Sequence, residues 1–148
     1  IPRISRTFGP TMLLSDSKAS SQFIMNAVHK ENIVLKSAGT QLYSYAYVAD
    51  IVSALLFLLV KGQKGEAYNV SNEHCDITLR TFAETLANVA GTKVIHGEAT
   101  AQEKQGFSKA TKALLDNQKI YALGWRPLYD SMEEPLKHTI KILEGSGN

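Results

Sequence analysis

Residues 43–60 read YSYAYVADIVSALLFLLV, and the periodicity of this stretch changes in its middle. Tyr43, Tyr45 and Tyr47 alternate, which is typical of a strand with one aromatic face. Asp50 can then cap a helix, and the apolar residues that follow cover more than one helical stripe, which predicts a buried helix. A strand that leads directly into a helix is the repeating unit of α/β proteins.

The same alternation continues on both sides of this stretch. Strands are predicted at residues 3–8, 33–35, 67–70 and 93–96. Helices are predicted from the cap residues 15–17 to about residue 30, and over 78–90, 117–123 and 131–143. Residues 98–105 are polar and predict a loop, and the tail at 145–148 predicts a flexible end. The pattern therefore indicates an α/β fold with parallel strand pairs.

Composition limits the class of partner. The chain has 148 residues, 44 % of them apolar and 20 % charged, which is typical of one soluble globular domain. A net charge of +2 disfavours a nucleic-acid-binding module or a membrane-surface partner. The longest apolar run, residues 51–60, is interrupted by Ser53 and is too short to span a bilayer.

Cys75 is the single cysteine, so the chain has no internal disulfide and no Cys-rich zinc site. This usage suits a reducing compartment, and we expect a cytoplasmic protein. The chain carries no basic-then-apolar leader. It opens directly on the extended-looking residues 1–4 without Met, and we therefore expect a fragment or a processed product of a longer protein.

Self-contained catalytic motifs are absent from the sequence. It has no GxGxxG, no GxxxxGK[ST] and no GxSxG, and no two histidines have HxxxH spacing. The run His74-Cys75-Asp76 is better explained as a loop with ordinary polar residues, since neighbours on an extended chain point to opposite sides. The chemistry visible in the residues alone is thus limited to binding.

Two features leave alternatives open. Tyr43, Tyr45 and Tyr47 form either a packed sheet face, which is the more common case, or an aromatic wall whose hydroxyls reach a ligand. Lys109 and Lys112 are either solvated surface residues, again the more common case, or anion ligands.

The order of several short segments carries more information than any one of them. Residues 3–10 (RISRTFGP) resemble the R-x-x-N-x-Y-G-P segment of the extended short-chain dehydrogenases/reductases, the NAD-dependent nucleotide-sugar epimerases, dehydratases and decarboxylases. Residues 39–50 (GTQLYSYAYVAD) resemble the family's G-x-x-Q-x-R-S/D-F-x-Y-V-x-D segment. Residues 68–70 (YNV) resemble its Y-N-V/I-G strand, and 116–127 (DNQKIYALGWRP) resemble D-x-x-K-x-x-x-L-G-W-x-P.

The resemblance covers nearly the whole chain in collinear order. It implies that residues 1–148 are a single fragment, the C-terminal nucleotide-sugar-binding region of such an enzyme. The implied fold is the last strands of a Rossmann-like NAD(P)-binding sheet together with a small mixed α/β lobe. The glycine-rich NAD fingerprint and the Tyr-x-x-x-Lys pair would lie upstream, since no tyrosine here has a lysine four positions on. NAD(P) would then bind the intact enzyme, and no cofactor or metal is expected on this chain alone.

The resemblance also assigns substrate-facing positions. Val34, Leu35 and Lys36 match the strand whose backbone meets the base, and Gln41 matches directly. Arg6 stands where the family has Asn, and Tyr43 stands where many members place an Arg on the diphosphate. A guanidinium at Arg6 can supply the lost charge, with help from the helix start near Lys18. Lys109 or Lys112 can replace the family's Arg-x-x-Asp arginine, whose position holds Ala113.

The implied function is to position a nucleoside-diphosphate sugar for hydride transfer to a nicotinamide that the missing half binds. The fragment alone would not be catalytically competent, and we expect the protein to form a homo-oligomer. The alternative is a non-catalytic scaffold or dimerisation module of the same ancestry.

Overall fold

Strands and helices alternate along the part of the chain that the computed structural model describes, residues 1–13, 15–105 and 107–145. The strands are β1 (Pro2–Ile4), β2 (Arg6–Phe8), β3 (Ile33–Leu35), β4 (Leu42–Tyr47), β5 (Tyr68–Val70), β6 (Asp76–Thr78), β7 (Val94–His96) and β8 (Lys112–Ala113). The helices are α1 (Ala19–Val28), α2 (Val48–Lys61), α3 (Leu79–Ala90), α4 (Ala101–Gln105), α5 (Gln118–Ala122) and α6 (Glu133–Gly145). The predicted α/β order is confirmed. Of the flexible tail predicted at 145–148, Gly145 instead ends α6, and residues 146–148 lie outside the described residues.

Most strand pairs are parallel. β1 pairs with β5, β2 and β8 both pair with β4, and β3 pairs with β7, all in parallel, whereas β6 pairs with β4 antiparallel. β4 therefore lies at the centre of the largest sheet. Its register with β2 sets Arg6 opposite Tyr45, beside the aromatic residues of β4.

Residues 3–8, predicted as one strand, form parts of two. β1 pairs with β5, whereas β2 pairs with β4, so the chain changes its partner strand at Ser5. The Ser5 N–H still donates to the Val70 carbonyl at 3.0 Å. The prediction was wrong here because every residue of this segment is compatible with extended backbone, and a change of partner leaves no local signal.

The main core lies where α1, α3 and α6 pack against one another and against the sheet around β4. Helix α3 has the caps that its sequence predicts. Thr78 Oγ1 accepts the Thr81 N–H at 3.0 Å, and Gly91 ends the helix with a φ of 70°. Phe82 and Leu86 on its inner face are completely buried. Between these caps α3 packs against β3, β6 and β7.

Helix α2 was predicted to be buried on all sides, and that prediction is wrong for this chain. Its inner residues Ile51 and Ala54 join a second core cluster with Trp125. The outer residues Val52, Leu56, Leu59 and Val60 are 49–82 % exposed. An apolar composition shows which faces can be buried, but it does not supply the partner that covers them. Among the described helices, none is both long and apolar enough to cross a membrane.

Residues 98–105, predicted as a loop, contain the short helix α4. Thr100 and Glu103 form a reciprocal capping box: Glu103 Oε2 accepts the Thr100 N–H at 2.8 Å, and Thr100 Oγ1 accepts the Glu103 N–H at 3.2 Å. The prediction missed this Thr-x-x-Glu spacing, which is visible in the sequence.

Candidate functional site

A cleft of about 520 Å³ opens between β2, β3, β4 and the start of α1, with α4 at its rim. It brings together most of the side chains that the resemblance assigns to a ligand, namely Arg6, Lys18, Val34, Leu35, Lys36, Gln41 and Tyr43. These residues come from four segments of the chain that meet at one opening.

Arg6 extends from β2 across the face of β4. Its guanidinium carbon lies 3.8 Å from the centre of the Tyr43 ring, which is a cation–π contact. No Asp or Glu among the described residues forms an ion pair with Arg6. The side chain therefore brings an uncompensated positive charge and five N–H donors to the cleft.

The aromatic face of β4 is both core and cleft wall. Tyr43, Tyr45 and Tyr47 are at most 6 % exposed, and Tyr45 packs on Phe82 with ring centres 5.0 Å apart. Tyr43 and Tyr45 nevertheless line the cleft. Burial raises the pKa of the Tyr45 hydroxyl to about 12, so this phenol stays protonated at neutral pH.

The start of α1 forms one side of the cleft. Residues 17–20 lie in its lining, and the first N–H groups of a helix have no partner within the helix. Asp16 accepts the Lys18 N–H at 3.0 Å, pairs with its ammonium at 3.1 Å and also accepts the Ser21 hydroxyl. The backbone hydrogen bond from Lys18 is the largest cause that lowers the pKa of Asp16. The charge of Lys18 is therefore balanced locally.

Strand β3 gives the cleft an open backbone edge. It pairs only with β7 within the described chain, and the Ile33 N–H and the Leu35 carbonyl face that partner. In a strand the backbone groups of alternate residues point to opposite edges. The Val34 N–H and carbonyl are therefore directed away from β7, at the cleft wall.

Lys36 reaches from the end of β3 to Glu103 on α4 and forms an ion pair with it. The Lys36 ammonium is the main cause that lowers the pKa of Glu103, to about 2, and the Thr100 N–H adds to it. This pair holds α4 against the rim and neutralises the Lys36 charge.

Gln41 places an unused acceptor in the cleft lining. Its Oε1 is buried without a hydrogen-bond partner, while its backbone carbonyl accepts the Leu79 N–H at 3.0 Å. A buried acceptor in this state favours a ligand that donates a hydrogen bond.

Lys109 and Lys112 do not join the cleft. Both are exposed, and neither belongs to its lining, although Phe107 and Ser108 do. Lys112 lies on β8 opposite Leu42, at the edge of the central sheet. The structure thus favours the solvated-surface interpretation for these two residues over the anion-ligand one.

Glu103, Phe107 and Ser108 also line the cleft and were not predicted as cleft residues. The capping box at Thr100 was the available signal for Glu103. Nothing in the local sequence indicates that residues 107–108 return to β3, because that contact depends on the pairing of β8 with β4.

The starts of α2 and α3 lack the features of a dinucleotide-binding junction. A pyrophosphate needs free N–H groups at a helix start, reached through a glycine-rich turn. At the start of α2 there is no glycine, and the buried Asp50 carboxylate accepts the Leu128 N–H at 2.7 Å and the Asn72 amide at 3.2 Å. The start of α3 is capped by Thr78. Neither of these two junctions is the glycine-rich phosphate cradle of a dinucleotide site.

The chain also offers no metal centre or activated thiol in the residues described. No three His, Cys, Asp or Glu side chains gather as a metal site requires. Burial raises the pKa of the Cys75 thiol to about 12, which keeps it protonated and unreactive. What the cleft can do chemically is bind and orient an anionic ligand.

Comparison with known proteins shows which sequences and folds this chain resembles. Residues 1–71 match the model of the NAD dependent epimerase/dehydratase family. The UDP-glucuronic acid decarboxylase 1 of Xenopus tropicalis is 29 % identical, over 100 % of this chain and 35 % of that protein.

Solved structures share the fold. The UDP-glucose 4-epimerase of Thermotoga maritima with UDP-glucose superposes with a TM-score of 0.82 at 22 % identity, over 99 % of this chain and 46 % of that one. The dTDP-glucose 4,6-dehydratase of Bacillus anthracis in complex with NAD superposes with a TM-score of 0.79 at 21 % identity, over 99 % of this chain and 44 % of that one. The chain thus spans less than half the length of these relatives. Its sequence match over residues 1–71 and its Rossmann-like α/β fold thus make the chain similar to the NAD dependent epimerase/dehydratase family.

Proposed function

We propose that this chain is the nucleotide-sugar-binding region of an NAD(P)-dependent epimerase, dehydratase or decarboxylase. Its cleft holds a nucleoside-diphosphate sugar, and its role is to position that substrate. The observation that carries the proposal is the unpaired Arg6 guanidinium, which shares one cleft with the start of α1.

The charges of the cleft support a diphosphate as the central ligand group. Lys18 and Lys36 each have an acidic partner, whereas Arg6 has none among the described residues. A planar guanidinium matches the oxygens of a phosphate in a bidentate contact, and the helix start adds N–H donors and a partial positive charge. The diphosphate then lies between Arg6 and residues 17–20.

The remaining walls suit the two ends of such a ligand. The open edge of β3 at Val34 offers one backbone donor and one acceptor to a base. Gln41 Oε1 accepts a hydrogen bond from a ligand hydroxyl or N–H group. Tyr43 and Tyr45 provide an apolar surface that excludes water from the phosphate contacts.

In this proposal neither Tyr45 nor Cys75 is the proton acceptor of the reaction. The Tyr45 phenol and the Cys75 thiol stay protonated, since burial raises both pKa values to about 12. Oxidation of a sugar carbon needs a nicotinamide, and the sequence contains no GxGxxG loop that would bind one. We therefore expect the purified 148-residue chain to show no sugar-dependent NADH formation above a blank.

Titration of UDP-glucose into the ¹⁵N-labelled chain tests the proposal. We expect the amide signals of Arg6, Val34 and residues 18–20 to shift in a saturable way, while those of α5 and α6 stay in place. Shifts confined to other surfaces, or none at millimolar ligand, would contradict it. Repeating the titration with uridine separates base contacts from phosphate contacts.

One feature favours a second role, association with another copy of the chain. The outer residues of α2 form an apolar stripe at positions 52, 56, 59 and 60, the spacing of one helix face. No charged side chain interrupts the stripe, so two copies can pack it against itself. Homo-oligomer formation is compatible with a ligand-binding cleft and is also what a non-catalytic dimerisation module would show.

A further inference from the structure

We propose that Tyr43 is a positioning residue for Arg6: its ring holds the guanidinium flat at the cleft wall, so that the N–H edges stay free for an oxyanion. This inference rests on the proposed function. Tyr43, a residue of the core, would thus contribute to ligand binding indirectly, through Arg6.

Arg6 needs such support because its own strand provides little. β2 has three residues, and Arg6 is exposed at its start. A long arginine side chain loses considerable rotamer freedom when a ligand fixes it. Binding is tighter when that freedom is already restricted in the free protein.

Tyr43 is well fixed and can provide the support. It is 5 % exposed, and its hydroxyl donates to the Ala110 carbonyl at 3.3 Å. Its ring meets Tyr45 edge to face, with centres 6.3 Å apart and planes at 81°. The β2–β4 register sets Arg6 opposite Tyr45, and Tyr43 lies two residues before it on the same face. The guanidinium thus lies over a ring that cannot easily move.

With its carbon 3.8 Å from the ring centre, the guanidinium meets the ring through its face in the proposed arrangement, which leaves its edge free. The donors of an arginine lie in its plane, so a contact with a π-face consumes none of them. The hydrogen bonds found for the described residues include none from Arg6, and its N–H groups remain available to a diphosphate. A lysine at this position could not both stack flat and present a planar fork.

A double-mutant cycle on the full 148-residue chain tests the inference, with UDP as the calorimetric probe. We expect Tyr43→Phe, which keeps the ring, to bind UDP within about twofold of the unaltered chain. Tyr43→Leu, which removes the ring, should weaken binding about fivefold, the usual size of a partly exposed cation–π contact. In an Arg6→Ala background, Tyr43→Leu should cause no further loss.

An equal loss from Tyr43→Leu with and without Arg6 would overturn the inference, and so would unchanged binding by Tyr43→Leu. If the unaltered chain fails to bind UDP at all, the proposed function itself fails, which distinguishes the two failures.

Because Tyr43 is buried, Tyr43→Leu could unfold the chain. A second measurement therefore uses the unaltered protein and Tyr43→Phe. The Arg6 Nε–H signal should carry an upfield ring-current shift in both and should broaden or move on addition of UDP. A signal at the free-arginine position would overturn the inference.

Discussion

Buried polar residues outside the cleft hold its scaffold together. Asp50 is completely buried at the start of α2 and accepts hydrogen bonds from the Leu128 N–H and the Asn72 amide. Asn72 also donates to the Tyr129 carbonyl at 2.7 Å. Asp50 was predicted to be a helix cap, but its carboxylate points inward and joins the segment after Trp125 to the end of β5.

At this scale we predict that Asp50→Ala destabilises the chain by about 2–3 kcal/mol, since it leaves two donors without an acceptor. Chemical denaturation measures the loss in the free energy of unfolding. Asp130→Ala is the matched control, because Asp130 is exposed and should change stability by no more than about 0.5 kcal/mol. Equal effects of the two substitutions would contradict the role of Asp50.

Individual cleft residues could be predicted from the sequence where they belong to a segment that resembles a family motif. Arg6, Gln41 and Tyr43 meet in the cleft as the resemblance implies, while their roles toward a ligand stay predictions. Lys109 and Lys112 were chosen only as the nearest cations to a changed motif position, and they lie outside the lining. The charge of a residue does not indicate to which side its strand directs the side chain.

Among the elements, α4 depends most clearly on a single contact. It has five residues, too few to be stable alone, and the Lys36–Glu103 ion pair joins it to β3. The ordinary pKa of Glu103 is 4.5, and the pair lowers it to about 2 in the folded chain. The contribution of the pair to stability is therefore complete above about pH 4.5 and is lost as the pH falls through about 2.

We accordingly predict that α4 stays docked at pH 4 and detaches as the pH approaches 2. Amide hydrogen exchange of residues 102–105 measures this. In Glu103→Gln the protection of these amides should be weaker at neutral pH. It should also no longer fall as the pH drops from 4 to 2, because the titrating carboxylate is gone. Glu98→Gln serves as the control, since no ion pair of Glu98 is found in the described part. Unchanged protection in Glu103→Gln would show that other contacts hold α4.

Element prediction failed where an element depends on a distant partner. The periodicity of residues 79–90 and the caps Thr78 and Gly91 are local, and α3 has the predicted bounds. The division between β1 and β2 at Ser5, and the return of residues 107–108 to the cleft, depend on strand pairs more than 30 residues apart in sequence. Those pairings have no local signature.

The exposed side of α2 is the main feature of the whole molecule that the described residues leave uncovered. Leu59 is 82 % exposed and Leu56 is 60 % exposed, within one apolar stripe. Surfaces of this kind mark sites of association. The free edge of β1 lies on the same side of the molecule as α2, since β1 contacts that helix.

We predict that the chain forms a concentration-dependent oligomer and that Leu59→Glu shifts it to monomer, because a charge cannot be buried unpaired in the apolar contact. Sedimentation velocity measures the change. Leu128→Glu is the matched control, as Leu128 is 67 % exposed but is not one of the stripe residues on α2. A monomeric unaltered chain at high concentration would contradict the prediction.

The central claim for the molecule is that its cleft binds a nucleoside-diphosphate sugar through Arg6. Isothermal titration of UDP-glucose into the unaltered chain, Arg6→Ala and Arg126→Ala tests it most directly. Arg126 is the matched control, since it also stacks on a tyrosine, 4.4 Å from the centre of the Tyr121 ring, but outside the cleft. We predict binding by the unaltered chain and by Arg126→Ala, and a loss of about 1.5–3 kcal/mol in Arg6→Ala. Equal affinities for all three proteins, or no binding by any of them, would contradict the claim.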